Sequence, residues 1–337
     1  MGIRERVSKL TVSVLPDFYF DRIILVPSLR NLFRQVHLKA ASGGGNLRGL
    51  TQTEIIGGNA TNLAFALSSL SARTNLYCVG NALTRAALSM HPARCKVRVV
   101  DGEPGYTTAL EFNSKGKPVN VMLSDVGGIS SFDGRTFAPN DIGTLRRSDC
   151  VAVVNWSANS KGNELASKVF GLPGRERRLN FFDPADLAGA ESRIRVFVRN
   201  VVDRELLDVI SLNENEARII ARLLSVGRLP RSYNSNDILK VSSLLRDCLK
   251  VAVDVHTPIG SASSTKQDDA WVSSLGKARG FVTGAGDVWD AGDIIGHLLH
   301  FKATKRLRFA NACAFLYLTN KNARPPTLRE AASLARL

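Results

Sequence analysis

Cysteine and histidine are scarce, five of each in 337 residues. The cysteines (Cys78, Cys95, Cys150, Cys248 and Cys313) form no C-x-x-C pair. That scatter argues against a disulfide framework or a metal site. Most have apolar neighbours, as in Tyr77-Cys78-Val79, and read as buried free thiols. No apolar run is long enough to cross a bilayer. Met1 to Leu10 carries charges without the apolar block and cleavage site of a secretory leader, so a cytoplasmic protein with no membrane partner is expected. Acidic residues are outnumbered, 30 against 45 Lys and Arg, for a net charge of +15. The excess is spread along the chain, with only short clusters such as Arg175-Glu176-Arg177-Arg178. Without a basic tail or basic residues interleaved with aromatics, it argues against a nucleic-acid partner. A phosphorylated substrate or a basic proteome remains as its explanation. No internal repeat or low-complexity linker divides the chain, which is read as a single domain over residues 1–337. The remainder is ordinary globular composition, 44% hydrophobic and 22% charged,.

One stretch organises the rest. Thr283-Gly284-Ala285-Gly286-Asp287 precedes Val288, Ala291, Ile295, Leu298 and Leu299, which recur at helical spacing,. The glycines therefore sit where a helix begins. Helix starts expose unpaired N–H groups and the positive end of the macrodipole, and glycine lets an anion approach them closely. Asp287 falls in the first turn, beside that anion site. Two roles suit a carboxylate there: taking a proton from an attacking hydroxyl, or holding a metal. Ordinary capping is the plainer alternative.

In chain order, Leu10 to Leu15 reads as a buried first strand, ending at Pro16-Asp17 with Asp21 just beyond. Acids at that position are where α/β folds keep ligands, although turn aspartates look the same. Leu38 to Ile56 contains Ser42-Gly43-Gly44-Gly45-Asn46 and then an alternating run, which predicts a small β excursion. Gly57-Gly58 follows, then a helix from Asn59 to Leu70 with Asn62 one turn in. Short strands are expected at Tyr77–Val79, 97–100, 107–112 and 119–123, the last two joined through a hairpin signal at 113–118. From Cys150 the rhythm is strand, helix, strand, which implies right-handed βαβ units and a parallel sheet. Those strands end in polar residues: Asn155, Asp183, Asn213-Glu214-Asn215-Glu216 and His256-Thr257. A hairpin (261–264 with 270–273) and two closing helices (306–320 and 327–335) complete the chain.

Two motifs then carry a resemblance to the ribokinase-like (PfkB) carbohydrate kinases, covering about Leu10 to the C-terminus. Gly57-Gly58-Asn59-Ala60-Thr61-Asn62 resembles the N-terminal signature of that family. Thr283-Gly284-Ala285-Gly286-Asp287 with Ala291-Gly292 resembles its C-terminal one. Asn213-x-x-Glu216 lies between them in the expected order. Asn155-Trp156 and Asp183-Pro184 are most like divergent archaeal members. The resemblance implies a three-layer α/β/α fold with a mostly parallel central sheet and a small β-sheet lid, drawn from about 38–56 and 97–123. It implies an ATP-dependent kinase acting on a hydroxyl of a sugar or related small polyol. A nucleoside kinase, or a non-catalytic sugar- or nucleotide-binding regulator, would share the scaffold. Asp287 would be the base, with Gly284, Ala285 and Gly286 the anion hole. Asp21, Gly57, Gly58 and Asn62 would hold the acceptor. Asn213 and Glu216 would position Mg2+ near the nucleotide, with Thr257 and Asn311 as further nucleotide contacts. A homodimer through the lid is expected from its open edges. Four places depart from the family pattern: Phe281-Val282 replaces Asp-Thr, His256 to Ser261 replaces Thr-x-Gly-x-x-Gly, Pro16 replaces a glycine, and Asn81-Ala82 replaces Gly-Asp.

Overall fold

Alternation within each strand sorts its side chains between two cores. In the strand Cys150–Val153, Val151 and Val153 pack with Leu15, Phe182 and Ile210. Cys150 and Ala152 pack on the other face with Val12, Val14 and Phe181. Successive strand residues point to opposite faces, so a strand covered on both sides must be apolar throughout. The structure is a computed structural model that describes residues 2–91, 95–114, 117–174, 176, 178–276 and 283–337. The Phe281-Val282 departure, Arg175 and Arg177 of the basic cluster, and Lys115-Gly116 of the hairpin signal lie outside the described residues.

In chain order the strands are β1 (Thr11–Leu15), β2 (Tyr19–Leu25), β3 (Thr51–Gly57), β4 (Arg73–Gly80), β5 (Cys95–Asp101), β6 (Gly105–Ser114) and β7 (Lys117–Asp125). They continue as β8 (Cys150–Val153), β9 (Leu179–Phe182), β10 (Val209–Asn213), β11 (Ala252–Thr257), β12 (Gly260–Ser264) and β13 (Asp269–Ser273). The large sheet runs β13-β12-β11-β10-β9-β8-β1-β4-β5. All neighbours from β11 to β5 are parallel, while the β11–β12 and β12–β13 pairs are antiparallel. Helices Gly162–Phe170, Glu214–Leu223 and Ser235–Leu249 cover one face. Helices Asn59–Ser69, Ala285–Leu298 and Ala303–Thr319 cover the other. The result is a three-layer α/β/α structure with a second, four-stranded sheet ordered β3-β2-β6-β7.

The small sheet is drawn differently from the expected excursion over 38–56 and 97–123. Residues 38–41 belong to a helix, Leu29–Ala41, in which Leu29, Leu32, Phe33 and Val36 recur at i, i+3, i+4 and i+7,. Ser28 caps it, its hydroxyl accepting from the Asn31 N–H at 3.3 Å. Only Thr51–Gly57 of that stretch is strand. Residues 97–101 lie in β5, paired parallel to β4 at the edge of the large sheet. β5 is an edge strand, exposed at residues 96–98 and buried at Val99 and Val100, so its local sequence does not show which sheet it joins. The missing member of the small sheet is β2, which pairs with both β3 and β6.

Asp17 ties the two sheets to a helix. It follows β1, has no solvent exposure, and accepts hydrogen bonds from the Asn59 N–H (3.0 Å) and the Asn155 side-chain amide (2.7 Å). The Ala60 N–H donates to its other oxygen. The helix Asn59–Ser69 starts at Gly58, which has no side chain to cap it and a φ of 102°. Asp17 therefore supplies the cap from outside the segment. Asp17→Ala is expected to cost about 2 kcal/mol in denaturant unfolding, the loss of a cap plus newly unpaired N–H groups. An unchanged midpoint would contradict that role.

Candidate active site

A cleft of about 570 Å³ opens where the carboxyl ends of the large sheet face the small one. β2 contributes Tyr19 and Asp21, β6 contributes Thr107, and β7 contributes Met122 and Ser124. The large sheet contributes Asn155, Asp183, Asn213 and His256 at or just after its strand ends. Two helix starts complete the lining: Gly58, Asn59 and Asn62 on one, Thr283, Gly284, Gly286 and Asp287 on the other. Ligands in open α/β sheets bind at this position.

Asp287 is 4% exposed and lies where the two helix starts meet. Both of its oxygens accept side-chain amide donors: Asn59 Nδ2 at 2.8 Å on Oδ1 and Asn62 Nδ2 at 2.9 Å on Oδ2. The pair fixes the carboxylate plane. Burial raises its pKa well above the usual 3.8, and the Asn62 amide works in the other direction. Gly284 precedes it in the left-handed region, at φ 83°. A Cβ on Gly284 would lie 2.9 Å from the Tyr317 hydroxyl and 3.3 Å from Asn62 Nδ2. Only glycine allows so close an approach in that conformation. The first N–H groups of the Ala285–Leu298 helix have no intrahelical partner, and they start at this loop.

Asp21 and Gly57 are matched to each other. A Cβ on Gly57 would fall 1.8 Å from Asp21 Oδ2, so the glycine is what lets the carboxylate lie there. Burial lifts Asp21 to about 6, opposed by the Thr107 hydroxyl. Asp17 and Asp183 are also lifted to about 6, again chiefly by burial. Burial pushes His256 down to about 4, so it is neutral at pH 7. The described lining carries five carboxyl side chains, Asp21, Asp183, Asp186, Glu216 and Asp287.

Asn213 and Glu216 form a reciprocal capping box. The Asn213 Oδ1 accepts from the Asn215 and Glu216 N–H groups, and Glu216 accepts from the Asn213 N–H and amide. Both residues line the cleft, and Glu216 is 3% exposed. Burial, then Asp183, raises its pKa well above 4.5. Behind them Asp290 is fully buried; the Ser211 hydroxyl donates to its Oδ1, while Oδ2 has no hydrogen-bond partner. The Glu216 and Asp183 carboxylates suit a hard divalent cation such as Mg2+, while the Asn213 Oδ1 is already filled by two N–H groups,. Another cluster, Asp254, Asp293 and His297, lies outside the cleft, and the Arg306 guanidinium pairs with both of its aspartates.

Of the residues singled out in the sequence, Asp21, Gly58, Asn62, Asn213, Glu216, Gly284, Gly286 and Asp287 line this cleft. Gly57, Ala285, Thr257 and Asn311 are not among its lining residues. The Thr257 hydroxyl donates to the Gly260 carbonyl (2.8 Å) and closes the β11–β12 turn. Asn311 is saturated: its Oδ1 accepts from Ser261 and Trp289, both at 2.8 Å, and its Nδ2 donates to the Val272 and Ser273 carbonyls. With its hydrogen bonds made within the fold, the contact left to Asn311 is packing. Sequence reasoning missed Asn59 as a partner of Asp287, Asp17 as a cap, and Tyr317. Polar residues closing apolar strands marked Asn155, Asp183 and His256.

No protein-family model and no curated protein sequence matches the chain. Solved structures do. A ribokinase from Thermotoga maritima superposes with a TM-score of 0.70 at 16% identity, over 97% of this chain and 100% of the other. An Arabidopsis thaliana ribokinase complexed with ribose and ATP gives 0.67 at 16%, over 97% and 98%. A Methanocaldococcus jannaschii nucleoside kinase, an archaeal member of the ribokinase family, gives 0.65 at 16%, over 97% and 98%. The chain has the ribokinase fold. Bacterial, plant and archaeal structures match at equal identity, so they do not single out the archaeal type.

Proposed function

We propose that the chain is a kinase that transfers the γ-phosphoryl group of ATP to a hydroxyl of a sugar or related small polyol. The observation that carries this reading is Asp287. A buried carboxylate clamped by two amides stands at a glycine-led helix start, in the same cleft as Asp21. Asp287 takes the acceptor hydroxyl proton while that oxygen attacks the γ-phosphorus and the bond to ADP breaks. N–H groups at Gly284, Ala285 and Gly286 stabilise charge on the equatorial oxygens. Asp21 holds acceptor hydroxyls above Gly57, beside Gly58 and Asn62. Glu216, with Asp183 alongside, would hold Mg2+, which neutralises the nucleotide phosphates when bound, and Asn213 would position Glu216 through its side-chain amide. The small sheet acts as a lid that excludes water from the transfer.

The five carboxyl groups favour an uncharged acceptor, because a second phosphate among them is repelled. A nucleoside acceptor is the second reading, favoured by the apolar wall of Tyr19, Met122 and Val126. Acceptor-dependent ADP formation, with the phosphorylated product identified by mass spectrometry, tests the reading. ATP and acceptor binding without any product, from ATP or ADP as donor, would instead indicate a non-catalytic regulator. Dimerisation is proposed through the open lid edges β3 and β7, near exposed Ile55, Val121 and Leu123,. A monomer in sedimentation at micromolar concentration would rule it out.

The acid limb of kcat/KM should lie well above pH 4. Asp287 must be ionised to act, and burial raises its pKa, so activity is present above that value and lost as pH falls through it,. A profile flat down to pH 4 would contradict the assignment. The same shift has a stability consequence of defined sign. Carboxyls such as Asp21 and Asp183 bind protons more tightly folded than unfolded, so between about 4 and about 6 their contribution to stability falls as pH rises,.

A further inference from the structure

Thr283 stands immediately before the glycine loop and is held from two directions. Its carbonyl accepts from the Tyr317 hydroxyl of the Ala303–Thr319 helix at 2.9 Å. Its hydroxyl oxygen accepts from the Asn120 side-chain amide, also at 2.9 Å. Asn120 lies on β7, opposite Glu111 of β6. A hydrogen bond therefore runs straight from the small sheet to the loop that begins the Ala285–Leu298 helix. The chemistry of that bond is directional. An amide N–H occupies one lone pair of the threonine oxygen, which leaves the threonine O–H to point elsewhere. Thr283 lines the cleft. A donor feeding a hydroxyl also polarises it and strengthens the bond that the hydroxyl donates next.

We infer that Asn120 is a positioning residue carried by the lid: its amide fixes the Thr283 hydroxyl so that its O–H donates to the phosphoryl group in transfer. This rests on the kinase reading above. Thr283 then adds a donor to the loop N–H groups, and that donor is aimed only when the small sheet covers the cleft. Tyr317 holds the loop backbone from a helix that covers the large sheet, so its bond does not depend on the lid. The arrangement links closure to transfer. With the lid away, one donor loses its aim, and hydrolysis of ATP by water is disfavoured for the same reason as transfer.

The test is a double-variant cycle. Asn120→Ala and Thr283→Val should each lower kcat about tenfold with the KM for ATP unchanged, and the double variant should fall no further than the worse single. Thr283→Ser should retain most of the wild-type rate, because it keeps the hydroxyl. Additive losses, or losses confined to the KM for the acceptor, would overturn the inference and leave Asn120 as a grip on the lid or substrate only. A second readout needs no turnover. Hydrogen exchange of the segment 283–288 should speed up in Asn120→Ala, and unchanged exchange would equally overturn it. If wild-type protein transfers nothing, the kinase reading fails, and the exchange result still decides whether the lid strand orders the loop.

Discussion

Asp287→Asn is expected to lower kcat about a thousandfold while nucleotide affinity stays within about twofold, the pattern of a lost general base. Asparagine has nearly the same shape, so the helix start and the glycine loop stay in place. What disappears is the group that accepts the acceptor proton. A new amide also faces two existing donors, Asn59 Nδ2 and Asn62 Nδ2, and one of them loses its partner. That loss is offset by removal of a carboxylate that burial disfavours. Stability should therefore change far less than turnover, which separates a catalytic defect from unfolding. Stopped-flow turnover beside a melting curve measures both. A large fall in melting temperature together with a small fall in kcat would reverse the assignment.

Gly284→Ala is expected to lower kcat about a hundredfold, the scale set by losing a positioned anion-hole donor. Alanine at φ 83° costs roughly 1 kcal/mol of backbone strain,. Its methyl would also meet the Tyr317 hydroxyl at 2.9 Å. Tyr317 must then move, which releases the Thr283 carbonyl and lets the loop shift. Gly286→Ala provides the contrast. Its Cβ meets only the His256 ring edge, at 3.2 Å, and needs a smaller adjustment. Steady-state rates for the two variants should rank Gly284→Ala well below Gly286→Ala. Equal losses would mean that the anion site depends on glycine content rather than on this conformation.

The parts of the fold legible in the sequence are those with local causes. Apolar strands such as β8 and β10 are buried on both faces and alternate with amphipathic helices, so the parallel sheet could be read directly. The glycine pairs at 57–58 and 284–286 precede periodic helices, and that placement pointed to the cleft. Elements defined by distant partners were not legible. β2 carries Asp21-Arg22 in its middle, which interrupts the apolar pattern, and its register comes from β3 and β6. The Leu29–Ala41 helix was hidden behind the glycine-rich stretch that follows it. Asp17 looked like a turn residue because the N–H groups it accepts from lie 42 and 43 positions along the chain. The hydrogen bonds that fill the Asn311 amide were not legible because its four partners come from β12, β13 and a neighbouring helix. The proximity of Asp183, Asp287 and Asp290 likewise belongs to the folded sheet edge and to no one segment.

The central claim is phosphoryl transfer to an uncharged hydroxyl compound, and the most direct measurement is transfer from MgATP across matched acceptors. Neutral sugars, polyols and nucleosides would be run beside their phosphorylated counterparts. The account predicts a phosphorylated product from at least one neutral acceptor, with its phosphate-bearing counterpart at least about a hundredfold poorer in kcat/KM. Transfer to the phosphate-bearing acceptor alone, or no transfer to any acceptor from any nucleotide donor, would contradict it.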